Sequence, residues 1–268
     1  MGTGVVTMRG GAWRARRLLA PAAVIAAAWL AACLPAAARE VTIVFAYSLP
    51  PYVMRDSSHP EGSGFEFEIF RAALAARGYT MKPAFAELGR LGLALQQGLA
   101  DGAQRGGPDL PASAGYHYAA GPTVSYEDVA ITLRRSGIAM HDPADLRSRR
   151  VAAFQGAKSY LGPAYAAAVA GNPDYLETAD EKRKIALLFD ARIDVYVGDI
   201  NIFRYYRGLA SSADTSQEVV IHRIFPARPD PTGHAVFRDA RLRDDFDAGL
   251  QEIRRNGTYA RIVGKYRK

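Results

Sequence analysis

Two tyrosines near the start of the chain could contact a small molecule through their rings. Tyr47 and Tyr52 flank a Pro-Pro turn, and a rigid turn can present an aromatic ring on which a flat or cationic group stacks. Ordinary half-buried packing is the simpler alternative for both side chains. We treat Tyr47 and Tyr52 as candidate ligand contacts.

A carboxylate and a glycine turn in the second half of the chain offer polar contacts. Asp199 precedes a helical segment, where a carboxylate can cap the free N–H groups or accept a hydrogen bond from a ligand. Gly156 stands at another predicted helix start, whose N–H groups can hold an anion. Lys158 and Ser159 in the same turn could add a charge and a hydroxyl. Helix capping and a solvated loop are the alternatives to ligand binding.

The sequence lacks the residue spacings of common catalytic and metal-binding sites. Its five histidines have no metal-ligand spacing, and the single cysteine, Cys33, excludes a disulfide within the chain. No nucleophile motif and no phosphate-binding glycine motif occurs. Glu66 and Glu68 are two residues apart and point to different helix faces, so we interpret both as solvated surface. We therefore expect no cofactor and no catalytic residues.

Strand-like and helix-like segments alternate along the chain. An apolar run at 41–47 predicts a buried strand, and residues 64–77 have the apolar spacing of a helix. Residues 79–85 alternate as a strand does, and residues 87–99 predict a second helix. That helix would place four leucines on one face, namely Leu88, Leu91, Leu95 and Leu99. This order is typical of a parallel α/β sheet.

The rest of the chain repeats this order. Further strands are predicted at 150–154, 193–198 and 218–225, and further helices at 159–170, 181–190, 200–209 and over the last forty residues. Thr178 and Glu181 have the spacing of a capping box at the start of one of these helices.

The first 38 residues predict export from the cytoplasm. A basic segment is followed by an uncharged run at 18–38 that ends in an A-x-A cleavage site. The basic residues are Arg9, Arg14, Arg16 and Arg17. We expect ordinary cleavage and a mature periplasmic protein that begins near Arg39. A lipoprotein acylated at Cys33 and an uncleaved membrane anchor are the alternatives.

Charge and length bound the kind of partner. The whole chain has 34 basic and 27 acidic residues, but four of the basic residues belong to the export signal, which leaves a net charge of about +3. Nucleic acid is therefore not an expected partner. The roughly 230 residues that remain suffice for one large domain or two lobes, and we expect a monomer.

Six segments along the mature chain match a known order of motifs. They are residues 46–52 (AYSLPPY), 61–68 (EGSGFEFE), 95–101 (LQQGLAD), 151–156 (VAAFQG), 193–199 (IDVYVGD) and 253–266 (IRRNGTYARIVGKY). In this order and spacing they resemble the family 3 extracellular solute-binding proteins, which include the polar amino-acid receptors of ABC importers.

The resemblance implies a type II periplasmic-binding-protein fold with two lobes, each a mostly parallel sheet flanked by helices. We expect one lobe to contain residues 40–129 and 224–268, and the other to contain 134–220. Two crossover strands near 125–134 and 222–237 would form a hinge, about which the lobes close on a ligand. The ligand would lie at the carboxyl ends of the strands.

The resemblance also implies which residue binds the amino group of a ligand, but it leaves the partner of the ligand carboxylate open. Asp199 matches the family aspartate that pairs with a ligand's amino group. The family's amino-acid receptors usually carry a Thr-x-x-Arg motif whose arginine holds the ligand carboxylate, but residues 108–118 contain no arginine. Arg105, at the end of the predicted third strand, is the candidate replacement, and the neighbouring Gly106 is a further candidate ligand contact. A surface position is the alternative for Arg105.

The sequence as a whole predicts a binding protein. We expect it to capture a small polar ligand, with an amino group as one candidate feature, and to deliver it to an inner-membrane ABC permease. A cationic or amino-bearing ligand would lie between Tyr52 and Asp199, which would face each other across the cleft. A dehydratase-like periplasmic enzyme and a ligand sensor on the same scaffold are the rival hypotheses.

Overall fold

The computed structural model describes residues 1–7, 39–107, 109–210, 215–226 and 234–266. The chain divides into two compact units, Met1–Ala38 and Arg39–Lys268. Most of the predicted export signal, including Cys33, lies outside the described residues. No helix in the described part of the chain combines the length and the apolarity needed to cross a membrane.

The second unit alternates strands and helices. The strands are β1 (Arg39–Ala46), β2 (Met54–Asp56), β3 (His59–Ser63), β4 (Tyr79–Ala86), β5 (Gly102–Ala103), β6 (His117–Tyr118), β7 (Asp128–Leu133), β8 (Val151–Ala153), β9 (Tyr175–Glu177), β10 (Val195–Asp199), β11 (Val219–His222) and β12 (Val236–Phe237). The helices are α1 (Phe65–Ala75), α2 (Leu91–Gln96), α3 (Ala157–Tyr160), α4 (Pro163–Val169), α5 (Glu181–Phe189), α6 (Ile200–Leu209), α7 (Ala240–Arg255) and α8 (Thr258–Tyr266).

These strands form two five-stranded sheets and one hairpin. The first sheet has the order β4-β1-β5-β12-β6, and its first three strands are parallel. The second sheet has the order β11-β7-β10-β8-β9, in which β10, β8 and β9 are parallel. The hairpin β2-β3 precedes α1. This is the mixed α/β architecture that the alternating pattern predicts.

Apolar residues cover both faces of each sheet. Aromatic rings from β1, α1 and α7 form the centre of the first core, where Phe70 packs 4.8 Å from Phe246 and 5.2 Å from Phe45, measured between ring centroids. Helix α2 covers the opposite face of the same sheet. The second sheet lies between α4 on one face and α5 and α6 on the other. Burial on both faces explains why β8 and most of β10, in the middle of the second sheet, are apolar runs.

A glycine lets two helices of the first core approach closely. Gly249 is buried on α7, and a Cβ atom there would overlap the backbone oxygen of Ala73 on α1. The apolar residues of α7 face this core as predicted, since Leu242, Phe246, Leu250 and Ile253 are buried.

The predicted helix over residues 87–99 is wrong at both ends. A 3-10 turn covers Leu88–Arg90, and the α-helix ends at Gln96. Leu88 and Leu99 therefore lie outside the helix, and they are 46% and 67% exposed. Only the two central leucines of the predicted face are buried.

Two further local predictions need correction, and one element was not predicted. The helix predicted over 159–170 is two helices, because Gly162 and Pro163 interrupt it with φ at 92° for the glycine. The N-cap of α5 is Asp180, which accepts a hydrogen bond from the Arg183 N–H, so Thr178 does not form the predicted capping box. The hairpin β2-β3 was not predicted because its residues are mostly polar and do not alternate.

We expect Gly249→Ala to lower the free energy of unfolding by about 1–3 kcal/mol, because α7 must move away from α1 to admit the methyl group. Gly264→Ala on α8 is the matched control, since nothing lies within 4 Å of a Cβ atom at that position. The control should be neutral or stabilise the protein by up to about 1 kcal/mol. Urea unfolding measures both changes. Equal effects of the two substitutions would contradict the close helix contact.

Candidate functional site

One hydrogen bond joins the loop after β1, in the half with the first sheet, to the carboxyl end of β10 in the second sheet. Tyr47 follows β1 and Arg105 follows β5 in the first sheet, while Gly156 follows β8 and Asp199 ends β10 in the second. The Tyr52 hydroxyl donates to the Asp199 carboxylate at 2.8 Å. Most of the residues predicted as ligand contacts therefore follow or end strands of the two sheets, and this bond joins two of them.

Asp199 is a buried carboxylate whose oxygens are both supplied with donors. Its Oδ1 accepts from the N–H groups of Asn201 at 2.9 Å and Ile202 at 3.0 Å, which makes it the N-cap of α6. Its Oδ2 accepts from the Glu127 N–H and the Tyr52 hydroxyl, both at 2.8 Å. Burial raises the pKa of Asp199, and these hydrogen bonds oppose that rise.

Tyr52 lies in the protein interior. Its side chain is 0% exposed, and its ring packs 4.4 Å from Phe65 and 4.3 Å from Tyr126 between centroids. Its oxygen also accepts from Asn201 Nδ2 at 3.1 Å. The expected stacking of a ligand on Tyr52, between that ring and Asp199, needs correction, because the ring is covered and the two side chains bond directly. The sequence placed the two residues opposite each other but gave no sign of this burial.

A second buried carboxylate lies below the edge of the first sheet. Glu66 is 3% exposed, and its Oε2 accepts from Gln104 Nε2 at 2.6 Å and from the Tyr126 hydroxyl at 2.7 Å. Gln104 in turn accepts from the Ala46 N–H. Burial raises the pKa of Glu66, while the Tyr126 hydrogen bond and the Arg105 charge work against it. The interpretation of Glu66 as solvated surface is therefore wrong.

Arg105 extends over this network, and Gly106 packs beside it. The Arg105 guanidinium lies 4.8 Å from the centroid of the Tyr126 ring. The Gly106 N–H donates to the His234 carbonyl at 3.1 Å, and a Cβ atom at Gly106 would overlap the Tyr118 ring. Arg105 is half-buried at the strand edge, not fully solvated. Gly106 has a packing reason to be a glycine.

Tyr47 keeps an accessible ring at the edge of β1. The side chain is 46% exposed and stacks on Phe85 at 6.4 Å between centroids. The Arg55 guanidinium, carried by β2, lies 4.7 Å from the Phe85 ring and 5.9 Å from the Tyr47 ring. The sequence interpretation missed Arg55 and Phe85, since neither belongs to a motif.

The glycine turn after β8 already binds a carboxylate of the protein. Glu177 accepts from the N–H groups of Gly156 at 2.8 Å and Lys158 at 3.1 Å, and from the Tyr175 hydroxyl at 2.6 Å. Burial works to raise the pKa of Glu177, but these hydrogen bonds outweigh it and the pKa is lowered. The N–H groups that were predicted to bind an anion thus already bind the carboxylate of Glu177. Lys158 and Ser159 remain exposed at its rim.

Sequence reasoning missed the groups that complete these contacts. Glu66, Gln104, Tyr126 and Glu177 come from segments far apart in the chain, and no motif or spacing connects them. Among the residues that the structure describes, no three His, Cys, Asp or Glu side chains are grouped as metal ligands.

Comparison with protein families identifies the fold. The profile of bacterial extracellular solute-binding proteins, family 3, matches residues 41–268. The chain belongs to this family. No curated protein is similar enough in sequence to count as a match. The family and the two sheets agree with the predicted two-lobed periplasmic-binding-protein-like fold.

Solved structures of other solute-binding folds are similar to this family member. A histidine kinase sensor domain with similarity to periplasmic binding proteins is 20% identical, with a TM-score of 0.63 over 86% of this chain and 97% of that one. The ancestral cationic amino acid solute binding protein AncCDT-1 is 18% identical, with a TM-score of 0.65 over 85% and 96%. Substrate binding domain 2 of Lactococcus lactis GlnP is 21% identical, with a TM-score of 0.62 over 85% and 94%. These similarities show the shared fold.

We expect Asp199→Ala to lower the free energy of unfolding by about 3 kcal/mol, because donors from three segments lose a buried acceptor. Asp180→Ala is the matched control, since Asp180 is the N-cap of α5 but is exposed and accepts one N–H. Loss of this ordinary cap should cost about 1 kcal/mol. Chemical denaturation of both ligand-free variants tests this. If Asp199→Ala costs no more than the control, Asp199 is only a helix cap.

Proposed function

We propose that this protein is a periplasmic solute-binding protein that captures a small polar ligand between two lobes and hands it to an ABC-type permease. The observation that carries the proposal is the family match over residues 41–268. The position of the candidate contacts after or at the carboxyl ends of strands supports it, because ligands of open α/β sheets bind there. Export by the N-terminal segment would bring the protein to the compartment in which such receptors work.

We further propose that the lobes are discontinuous in sequence, with residues 40–129 and 224–268 in one and 134–220 in the other. The strand order supports this division, since β12 joins β5 and β6 in the first sheet, whereas β7 to β11 form the second. The crossovers would lie near 125–134 and 222–237, and the described part of the second ends at 226 and resumes at 234.

The ligand contacts that we propose lie at the accessible rim of the two edges. Tyr47 and Arg105 would contact the ligand from the first lobe, with Gly106 behind them, and Lys158 and Ser159 would do so from the second. Tyr47 supplies an exposed ring, and the three other side chains supply a guanidinium, an ammonium and a hydroxyl. The polar groups of three other predicted contacts already have protein partners. We therefore propose that these residues support the site without contacting the ligand; they are Asp199, Tyr52 and Gly156.

The proposed ligand is the size of an amino acid. Solved structures with this fold include an ancestral arginine-binding protein bound to arginine and an ancestral arginine-binding protein bound to glutamine. Two features differ from what the family resemblance implies for an amino-acid ligand. Residues 109–118 contain no arginine to bind the ligand carboxylate. Asp199, the expected partner of the ligand amino group, already accepts four hydrogen bonds from the protein. We therefore propose a small polar ligand in which an amino group is not required.

A thermal-shift screen with amino acids, amines and small organic acids tests the function. A true ligand should raise the melting temperature, since a ligand at 100 times its Kd adds about 2.7 kcal/mol to stability, and mass spectrometry should recover it unchanged. Steady formation of a new product would instead identify a dehydratase-like enzyme. For any hit, Arg105→Ala should weaken binding about 10- to 100-fold. The control Arg71→Ala, on an exposed residue of α1 that also lies over an aromatic ring, should bind normally.

A further inference from the structure

Neighbouring strands of the first sheet bring an exposed ring and a guanidinium to the same carboxyl edge. Strand β1 lies between β4 and β5 and is parallel to both, and its Val44 pairs with Ala103 of β5. Tyr47 is the first residue after β1, and Arg105 is the second residue after β5. Adjacent strands are about 4.8 Å apart, so one small molecule can span these two positions.

Two consecutive residues in the first turn of α1 support these side chains. The Phe85 ring, on which Tyr47 stacks, itself stacks on Phe67 at 6.3 Å between centroids, with 18° between the planes. The preceding residue, Glu66, accepts a hydrogen bond from Tyr126, whose ring lies 4.8 Å from the guanidinium carbon that follows β5. The exposed ring and the guanidinium are therefore both fixed on the side of the edge that α1 covers.

A second guanidinium lies over the same rings. Arg55, on the hairpin strand β2, is exposed, and its guanidinium carbon lies 4.7 Å from the Phe85 centroid and 5.9 Å from the Tyr47 centroid. The Arg55 Nε–H donates to the Pro60 carbonyl at 3.2 Å, which holds the side chain along the hairpin. A guanidinium has N–H donors on three nitrogens, so the two terminal nitrogens can still donate to a ligand.

The carboxylates at the strand ends are supplied with donors by the protein. Asp199 accepts four hydrogen bonds, Glu177 accepts three and Glu66 accepts two. A carboxylate has about four acceptor sites, so a ligand ammonium would compete with donors that are already in place. The charged groups over the rings of the first sheet's edge are guanidiniums, which bind carboxylates.

We propose that the ligand is an aromatic carboxylate, with its ring on Tyr47 and its carboxylate bound by Arg105 and Arg55. Stacking on Tyr47 favours a planar ring over a saturated ring of the same size. The guanidiniums favour a carboxylate over an amine on the same ring. Arg55 is then a specificity-determining residue. This inference rests on the proposed function, because it names the class of ligand that the binding protein captures.

Isothermal titration of the exported protein with matched probes tests the ligand class. The aromatic acids are benzoate, 4-hydroxybenzoate, cinnamate and nicotinate, the amines are benzylamine and tyramine, and the saturated acid is cyclohexanecarboxylate. We expect at least one aromatic acid to bind at least about tenfold more tightly than both amines and cyclohexanecarboxylate. Tighter binding of an amine or of the saturated acid would overturn the inference, and so would a failure of all four aromatic acids to bind.

The same titrations separate this inference from the proposed function. An amine that binds most tightly and is recovered unchanged would overturn the ligand class and leave the binding function in place. An aromatic acid that binds most tightly but is converted to a new product would support the ligand class and contradict the binding function.

Charge reversal tests the role of Arg55. Arg55→Glu places a carboxylate beside Tyr47 and should weaken binding of the best aromatic acid at least about tenfold. Arg71→Glu is the matched control, because it makes the same change in net charge. Arg71 is also exposed and lies over an aromatic ring, 4.7 Å from the Phe67 centroid, but it stands further along α1. The control should bind the acid normally. Equal affinities of the two variants would overturn the role of Arg55.

Discussion

A carboxylate that is removed from water must be given hydrogen-bond donors by the protein, and Asp199 receives them from three segments of the chain. Two come from the first turn of α6, one from the segment before β7, and one from Tyr52, which lies 147 residues away. The N–H groups in the first turn of a helix have no carbonyl partner within the helix. The Asp199 carboxylate accepts hydrogen bonds from two such groups of α6. This group links the two halves of the fold, because its donors come from three segments, one of which carries Tyr52 in the half with the first sheet.

Two other carboxylates of the protein accept hydrogen bonds from nearby donors at the ends of strands. Glu177 accepts a hydrogen bond from the Gly156 N–H. Glu66 accepts hydrogen bonds from the Gln104 amide and the Tyr126 hydroxyl. A ligand that bound at these strand edges, as we propose, would therefore meet polar groups that already have partners, and it would have to bind through the rim or displace one of them. In the proposed binding protein, shape and rim contacts would then select the ligand more than a single buried ion pair would.

The regular elements could be predicted from the sequence because their signals are local. The helix at 200–209 and its cap at Asp199 follow from apolar spacing and from the capping preference of a carboxylate. The helix at 87–99 was overestimated, because leucine spacing continues past the point where the chain turns at Gly98, whose φ is 71°. Local patterns predict the order of helices and strands but not how they assemble. The two-lobed architecture was predicted from the resemblance to a family.

The partners of the site residues could not be predicted, because they come from distant segments. Tyr52 and Asp199 were placed on opposite sides of a cleft, but burial of the tyrosine ring depends on Phe65 and Tyr126. Glu66 has the sequence signature of any acidic residue in a first helical turn. Its burial follows from the way that α1 packs at the end of β5, which no spacing in the sequence encodes.

Amide hydrogen exchange of the ligand-free protein tests the central claim, that Asp199 is bonded by the protein itself. The N–H groups of Asn201 and Ile202 should exchange at least about tenfold more slowly than that of Arg183, which is capped by the exposed Asp180 at the start of α5. The Glu127 N–H should be protected to the same extent as Asn201 and Ile202. Exchange of all three as fast as Arg183 would show that Asp199 is open to water, and the account would be contradicted.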